Sequence, residues 1–331
     1  MRLEPLDIEP EEENAPPIPT SFYRDHSKTI LAKNDSPDLG FSYSINPYRG
    51  CEHGCIYCYA RPSHEYLGFS SGIDFESKIM VKLDAPALLS STFRKKQWQP
   101  QVVLFSGNTD CYQPVERNLQ ITRACLRIFL LHRNPVAMIT KNALITRDMD
   151  ILKELASLGL VRVMISITSL DPELIRKMEP RTASPRKRLD TIELLASEGI
   201  PVGVIIAPLI PGLNDEEMLT IIREASLRGA RFAAMTMIRL PGTVKELFSE
   251  WLMRELPLRA SKILARIKDM RGGTLNDNRW NSRLVGEGET AAMMRKMFDV
   301  ACRKYHLNEE RLKLTSSIFV REPSAQPTLF G

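Results

Sequence analysis

The chain reads as α/β, a series of βα units wrapped around a parallel sheet, and three observations carry that reading. Between Gln101 and Ile238, short apolar runs alternate with amphipathic segments of helical period. The turns joining them are short and hold the Gly, Pro, Asn and Asp residues that break regular structure. Counted with the strand that precedes them, they make six strands. With right-handed crossovers these amount to a (β/α)6 unit, about three-quarters of a (β/α)8 barrel and TIM-like in plan. After it, Gly272-Gly273 marks a break, and a small α+β extension is expected to follow.

Each element has its own signal. Residues 1–40 are expected to form a disordered or draped arm: the first twenty are acidic and proline-rich, and the next twenty are polar with turn residues Asn34-Asp35-Ser36-Pro37. The core barrel is assigned to 41–271 and the extension, with a flexible tail, to 272–331. Phe41–Ile45 alternates apolar and polar and predicts the first strand; Tyr59–Tyr66 starts a helix, and Lys78–Lys82 is a short strand. Asp84, with Pro86 in the first turn, opens a helix to about Gln97. Strands follow at Gln101–Phe105, Pro135–Thr140, Val161–Thr168, Pro201–Ala207 and Ala230–Ile238. Helices are expected over about 115–132, 146–158 and 185–198, from a cap at Pro211–Asp215 to Leu227, and near 244–254 and 258–270. Beyond the break, Thr290–Tyr305 reads as helix and Lys313–Val320 as strand.

Composition narrows the class. A chain of 331 residues with 43% hydrophobic and 26% charged residues can build a sizeable core. No apolar run reaches the roughly 18–20 residues of a membrane span, and no signal peptide is read at the start. Six cysteines in so long a chain do not make a disulfide framework, so a reducing cytoplasm is expected. A net charge of +5 and a pI of about 8.8 permit a polyanionic substrate without arguing for one.

The chemistry gathers in Gly50-Cys51-Glu52-His53-Gly54-Cys55-Ile56-Tyr57-Cys58-Tyr59, where three cysteines are spaced Cys-x3-Cys-x2-Cys. Thiolates this close suit one soft metal centre: zinc, copper(I) or an iron–sulfur cluster. Structural zinc wants four closed ligands, and His53 or His64 would have to complete the set. Zinc couples usually recur as two close pairs, whereas Cys111, Cys125 and Cys302 are scattered. A three-cysteine cluster site leaves one iron for a ligand that is not protein.

This spacing, with an aromatic before the last cysteine, resembles the radical S-adenosylmethionine (SAM) superfamily. The resemblance implies that Cys51, Cys55 and Cys58 hold a [4Fe-4S] cluster, that SAM chelates the fourth iron, and that an electron from a flavodoxin- or ferredoxin-type donor splits SAM to give a 5′-deoxyadenosyl radical. Thr109-Asp110-Cys111-Tyr112-Gln113-Pro114-Val115-Glu116, with Asn46-Pro47-Tyr48-Arg49-Gly50 and Tyr59-Ala60-Arg61, is similar to the spore photoproduct lyase-like branch, related to DNA repair photolyases.

In parallel βα folds ligands gather at the C-terminal ends of strands, which selects the remaining candidates. Tyr57 either packs along adenine, as the superfamily uses this position, or shields the cluster. Ser106-Gly107-Asn108-Thr109-Asp110 lies where the superfamily binds the amino group of SAM. Gly107 would let backbone approach, and Thr109 or Asp110 would accept from the ammonium; an ordinary polar turn is the other reading. Ser166 and Thr168 end a strand and are expected at the ribose or carboxylate of SAM, or in local bonds. Arg181 is expected to pair with a carboxylate, the Pro208–Asp215 loop to shape the adenine side, and Arg186-Lys187-Arg188 to be a solvated helix start. Cys111 is a candidate hydrogen-atom donor, by resemblance to the lyases, or else a small buried thiol. Gln326-Pro327-Thr328-Leu329-Phe330 is similar to the short peptides by which bacterial replication and repair proteins dock on the sliding clamp. The branch resemblance favours a DNA lesion or nucleotide as substrate. A radical SAM enzyme of small molecules or proteins, and a non-catalytic zinc or iron–sulfur adaptor, are the alternatives.

Overall fold

The computed structural model describes residues 3–8, 19–310 and 312–323. The clamp-like peptide Gln326–Phe330 and most of the acidic, proline-rich arm lie outside the described residues.

Among the described residues the strands are β1 (Pro5–Leu6), β2 (Ser21–Arg24), β3 (Leu31–Lys33), β4 (Tyr43–Ile45), β5 (Tyr48–Arg49), β6 (Lys78–Val81), β7 (Val103–Phe105), β8 (Val136–Thr140), β9 (Val161–Ser166), β10 (Val202–Leu209) and β11 (Phe232–Met237). The larger sheet runs β11-β10-β9-β8-β7-β4-β3. Its six strands from β4 to β11 are parallel neighbours, and β3 pairs antiparallel with β4 at the edge. This is the six-stranded open barrel that the alternating apolar runs predict.

The helices are α1 (Asp74–Ser77), α2 (Ala85–Arg94), α3 (Glu116–Leu119), α4 (Ile121–His132), α5 (Met149–Ser157), α6 (Pro172–Met178), α7 (Pro185–Ser197), α8 (Met218–Leu227), α9 (Val244–Glu255), α10 (Pro257–Asp269) and α11 (Gly288–Lys304). Their starts follow from local chemistry. Asp171 accepts from the backbone N–H groups of Glu173 and Leu174, and Ser184 accepts from that of Lys187, each with proline in the first turn. Leu126, Phe129, Leu152, Leu155, Ile192, Leu195, Ile221 and Ile222 pack against Val103, Phe105, Val136, Met138, Val163, Ile165, Val204 and Ile206 in one core. Alternate strand residues such as Ile139, Met164, Ala207 and Thr236 are only half-buried. That is the pattern of a sheet closed by helices on one face and lining an open interior with the other.

Several elements differ from the sequence expectations. Within the stretch expected to be a draped arm, β1, β2 and β3 form, and Phe22 and Ile30 enter the core. β2 pairs parallel with β6 in a second sheet ordered β1-β2-β6-β5, which covers one side of the barrel. The helix expected over 115–132 divides at Gln120, whose φ of 51° no continuous helix admits. A short 3₁₀ segment, Arg61–Leu67, replaces the helix expected from Tyr59. Residues 312–323 contain no strand. They run across α2 and α4 instead, where Val320 donates to the His132 carbonyl at 2.8 Å. Met294, Phe298 and Ala301 of α11 enter the barrel core, so the extension is packed into the barrel wall.

Candidate active site at the mouth of the open barrel

The cysteine loop leaves β4 and β5 and folds as successive turns. The Gly54 N–H donates to the Cys51 carbonyl at 3.3 Å, that of Cys58 to Cys55 at 3.2 Å, and that of Arg61 to Cys58 at 3.2 Å. Two glycines make the path possible. Gly50 has φ of 81°, and a Cβ there would lie 2.8 Å from the Phe75 carbonyl oxygen. Gly54 has φ of 66°, and its Cβ would lie 2.1 Å from the Glu76 carboxylate. Fully buried Arg61 holds the turns from inside, donating to the carbonyls of Cys55 and Gly54 at 3.0 Å each and of Gly72 at 2.7 Å. Glu76 pairs with Arg61 at 3.1 Å and with Arg181 at 2.7 Å. Arg181 therefore spends its charge on the scaffold of the loop. The carboxylate it was expected to pair with is that of Glu76.

Cys51 and Cys58 pack with Ala60 and Phe75, while Cys55 lies against a second apolar cluster that includes Leu174, Ile175, Met178, Phe248 and Trp251. Burial first of all, and then the neighbouring acids and thiols, pushes the Cys51 and Cys55 thiols well above the ordinary range. Three thiols on one loop, shielded on both sides and repelling one another as thiolates, fit a soft, positively charged centre that binds them as thiolates and releases their protons. Among the described residues no three His, Cys, Asp or Glu side chains converge as ligands of one metal ion. Of the two histidines, His64 bonds the Lys78 carbonyl through Nε2 at 2.9 Å and leaves Nδ1 without a partner among the described residues, and His53 Nδ1 faces Asp110 at 3.5 Å.

Tyr57 is buried beside the loop. Its hydroxyl donates to Glu179, and the Thr168 hydroxyl donates to the same carboxyl oxygen at 2.6 Å. Arg188 pairs with the other oxygen of Glu179 and also donates to the Ser166 carbonyl at 2.9 Å. Both Glu179 and Arg188 are essentially sealed from solvent, at 1% and 0% exposure. Burial works to raise the Glu179 pKa, but Arg188, Lys141 and the two hydroxyls outweigh it and hold the group at about 2. Arg188 is thus no solvated helix start: it is the counter-ion of a buried network. Thr168 belongs to that network.

The loop after β7 is tied down in the same way. Asp110 accepts from the Tyr112 N–H at 2.9 Å, the Thr140 hydroxyl at 2.7 Å and the Lys141 N–H at 2.8 Å. Thr109 donates to the Tyr48 carbonyl at 2.9 Å. Ser106, at φ 72°, accepts from the Cys111 N–H at 2.9 Å. Gly107 lies so close to β4 that a Cβ would approach Ser44 Cβ to 3.0 Å, and its carbonyl accepts from the Tyr59 hydroxyl. These bonds take up much of the acceptor capacity of Asp110, while the Thr109 hydroxyl, which donates, keeps its oxygen as an acceptor. They join the cysteine loop to the ends of β7 and β8. Cys111 is fully buried in the core at 0% exposure. A hydrogen donor must meet its substrate, so this burial supports the small core thiol.

Lys141 was invisible to sequence reasoning. It ends β8, donates to the Ser166 hydroxyl at 2.8 Å, and holds its ammonium 5.9 Å from the Tyr57 ring centre. The signal that could have found it is its place, directly after a strand on the mouth side. Glu52 carried no expectation, and His53 was considered only as a fourth zinc ligand. Burial brings the Glu52 carboxyl up to about 7 and the His53 imidazole down to about 4. Glu52 accepts from the Val115 N–H at 2.7 Å and so docks the loop on the turn before α3.

A family profile described as the radical SAM superfamily matches residues 45–225, from the end of β4 into α8. The chain belongs to the radical SAM superfamily. Among its relatives, an uncharacterized protein of Mycobacterium tuberculosis is 34% identical over 240 residues, covering 72% of this chain and 71% of the relative. An uncharacterized protein of Methanocaldococcus jannaschii is 31% identical over 180 residues, covering 54% and 65%. Among solved structures, spore photoproduct lyase complexed with dinucleoside spore photoproduct aligns with a TM-score of 0.62 at 16% identity, over 86% of this chain and 78% of that one. A mutant of the same lyase with bound AdoMet and the dinucleoside aligns with a TM-score of 0.58 at 16% identity, over 85% and 77%. At that identity the likeness shows a shared fold. This chain is a radical SAM enzyme built on the TIM-like open barrel of that superfamily, and the superfamily implies SAM and a [4Fe-4S] cluster as cofactors.

Proposed function

We propose that Cys51, Cys55 and Cys58 hold the [4Fe-4S] cluster, and that the enzyme uses it to cleave SAM reductively and act on a nucleic-acid lesion or nucleotide. The observation that carries the first part is the loop itself: three shielded thiols at the mouth of the barrel, with Arg61, Glu76 and Arg181 fixing the backbone between them. Bound there, the two cofactors would supply a 5′-deoxyadenosyl radical for hydrogen abstraction. The protein's residues bind and orient. Lys141, beside the Ser166 hydroxyl and within the mouth, suits the carboxylate of SAM better than Arg181 does. Tyr57, with its hydroxyl fixed by Glu179 and Thr168, walls the loop and keeps water off that side. The loop from Ser106 to Asp110 presents backbone groups to the amino end of SAM, with Asp110 holding their position.

The substrate class rests on two supports, the fold shared with spore photoproduct lyase and the sequence likeness around Thr109–Glu116, and the mild basicity of the chain permits it. A flavodoxin- or ferredoxin-type reductant is proposed as electron donor. The clamp-like tail is proposed as a DNA-repair docking peptide. Among the described residues no helix is long and apolar enough to cross a membrane, and a cytoplasmic site is proposed on the oxygen sensitivity of such a cluster. Anaerobic retention on irradiated duplex DNA, and pull-down of the sliding clamp with and without residues 326–331, test the substrate reading. Failure to bind either would remove its support.

A further inference from the structure

One guanidinium at the barrel mouth makes no ion pair or side-chain hydrogen bond among the described residues. Arg239 follows β11, two residues past its end. It is only half-buried, yet its Nε is shielded from solvent and bonds to nothing. Its guanidinium carbon stands 5.3 Å from the ring centre of Tyr59, the residue next to Cys58. The charged groups around it have hydrogen-bond partners, although the Nε of Arg271 is likewise unbonded among the described residues. Arg283 is held by both oxygens of Asp38 at 2.6 Å. Arg271 donates to the carbonyls of Ser282 at 3.0 Å and Ile238 at 2.6 Å. Asp277 is taken by Arg279 and Ser282. A partly desolvated guanidinium with no acceptor is costly unless something fills the place.

Its platform is also set for a ligand. Tyr59 spans from the cysteine loop to the β7 loop, where its hydroxyl donates to the Gly107 carbonyl, and the ring remains 45% exposed. The cation–π contact seats the guanidinium beside this exposed residue. That geometry is suited to bidentate recognition of an oxyanion. The deeper cation, Lys141, already stands beside Ser166 and Tyr57, so a second cation on the rim answers a different ligand.

We propose that Arg239, seated on Tyr59, is an oxyanion site that takes a phosphate of the substrate at the rim of the barrel. This deepens the nucleic-acid reading and rests on it for the identity of the phosphate's bearer. The test uses the reconstituted full chain, anaerobically, as wild type, R239Q and R239K, with melting temperatures to confirm that each folds. The first arm titrates inorganic phosphate at fixed ionic strength and reads the shift in melting temperature. Wild type should saturate, R239Q should not, and R239K should respond weakly because it keeps the charge and loses the fork. The second arm measures binding of an irradiated oligonucleotide and of the same sequence with neutral methylphosphonate linkages. R239Q should bind the phosphodiester roughly ten- to a hundredfold more weakly than wild type, the range of one charge-assisted hydrogen-bonded contact. It should bind the neutral strand as wild type does.

A wild type that ignores phosphate, or an R239Q that binds both strands as wild type does, would overturn the site. So would an R239Q that loses SAM retention in equal measure, since Arg239 would then serve the cofactor. A phosphate response lost in R239Q, with no oligonucleotide binding even by wild type, supports the site and removes the nucleic-acid reading. The two failures are therefore distinguishable.

Discussion

At the scale of residues, the site depends on buried charges that answer one another. Glu179 and Arg188 are both sealed from solvent, and the pair holds Tyr57, Thr168 and the end of β9. Removing one partner strands the other, so E179Q is expected to cost about 3–5 kcal/mol, read as a lower denaturation midpoint. The pH sign follows from a carboxyl held at about 2 against its usual value near 4.5. Its stabilisation is complete above the unfolded value and is lost as the pH falls from about 4.5 toward 2. The gap between wild type and E179Q should therefore shrink over that window. A gap that is constant between pH 7 and pH 3 would contradict the assignment. Lys141 belongs to the same scale: K141M should keep its iron yet bind SAM at least about tenfold more weakly by equilibrium dialysis. The cysteines were legible because thiol spacing is local in sequence. Lys141, Arg188 and Glu179 were not, since their roles come from partners on other strands and loops. The carboxylate partner expected for Arg181 could not be named for the same reason: Glu76 lies 105 residues away.

At the scale of elements, the cysteine loop needs its glycines as much as its sulfurs. G54A would place a methyl against the Glu76 carboxylate at a backbone angle that favours glycine. The ion pairs from Glu76 to Arg61 and Arg181 would shift, and with them the carbonyls that Arg61 holds. G54A should then bind markedly less iron than wild type although all three cysteines remain, as measured by iron and sulfide content after identical reconstitution. Full iron occupancy would show that the loop tolerates the change. The regular βα units were readable because strand and helix each carry their own period, with side-chain caps at α6 and α7. The break at Gln120 was hidden, since nothing in a run of good helix formers announces a left-handed residue.

At the scale of the molecule, the open barrel has two edges, and an ion pair joins them. Asp38, in the turn between β3 and β4, holds Arg283 of the extension that follows β11. The Arg283 hydrogen bond keeps the Asp38 carboxyl below its usual range. Across the gap in the sheet this acts as a clasp. D38N should raise amide exchange in both 34–42 and 279–286, and the R283Q/D38N double variant should be no worse than either single one. Loosening confined to one side would mean that the two edges are held independently. The six-stranded barrel was legible from periodicity. The second sheet was not: its strands are two to four residues long and pair across long stretches of chain, so no local pattern encodes them.

The central claim is that the three-cysteine loop holds a redox-active cluster that opens SAM. The direct measurement is anaerobic reconstitution of wild type and of C51A, C55A and C58A, followed by reductant and SAM. Wild type should carry about four iron and four sulfide per chain and release 5′-deoxyadenosine, and each variant should lose both. Zinc in place of iron, or an intact cluster that never yields 5′-deoxyadenosine, would contradict the account.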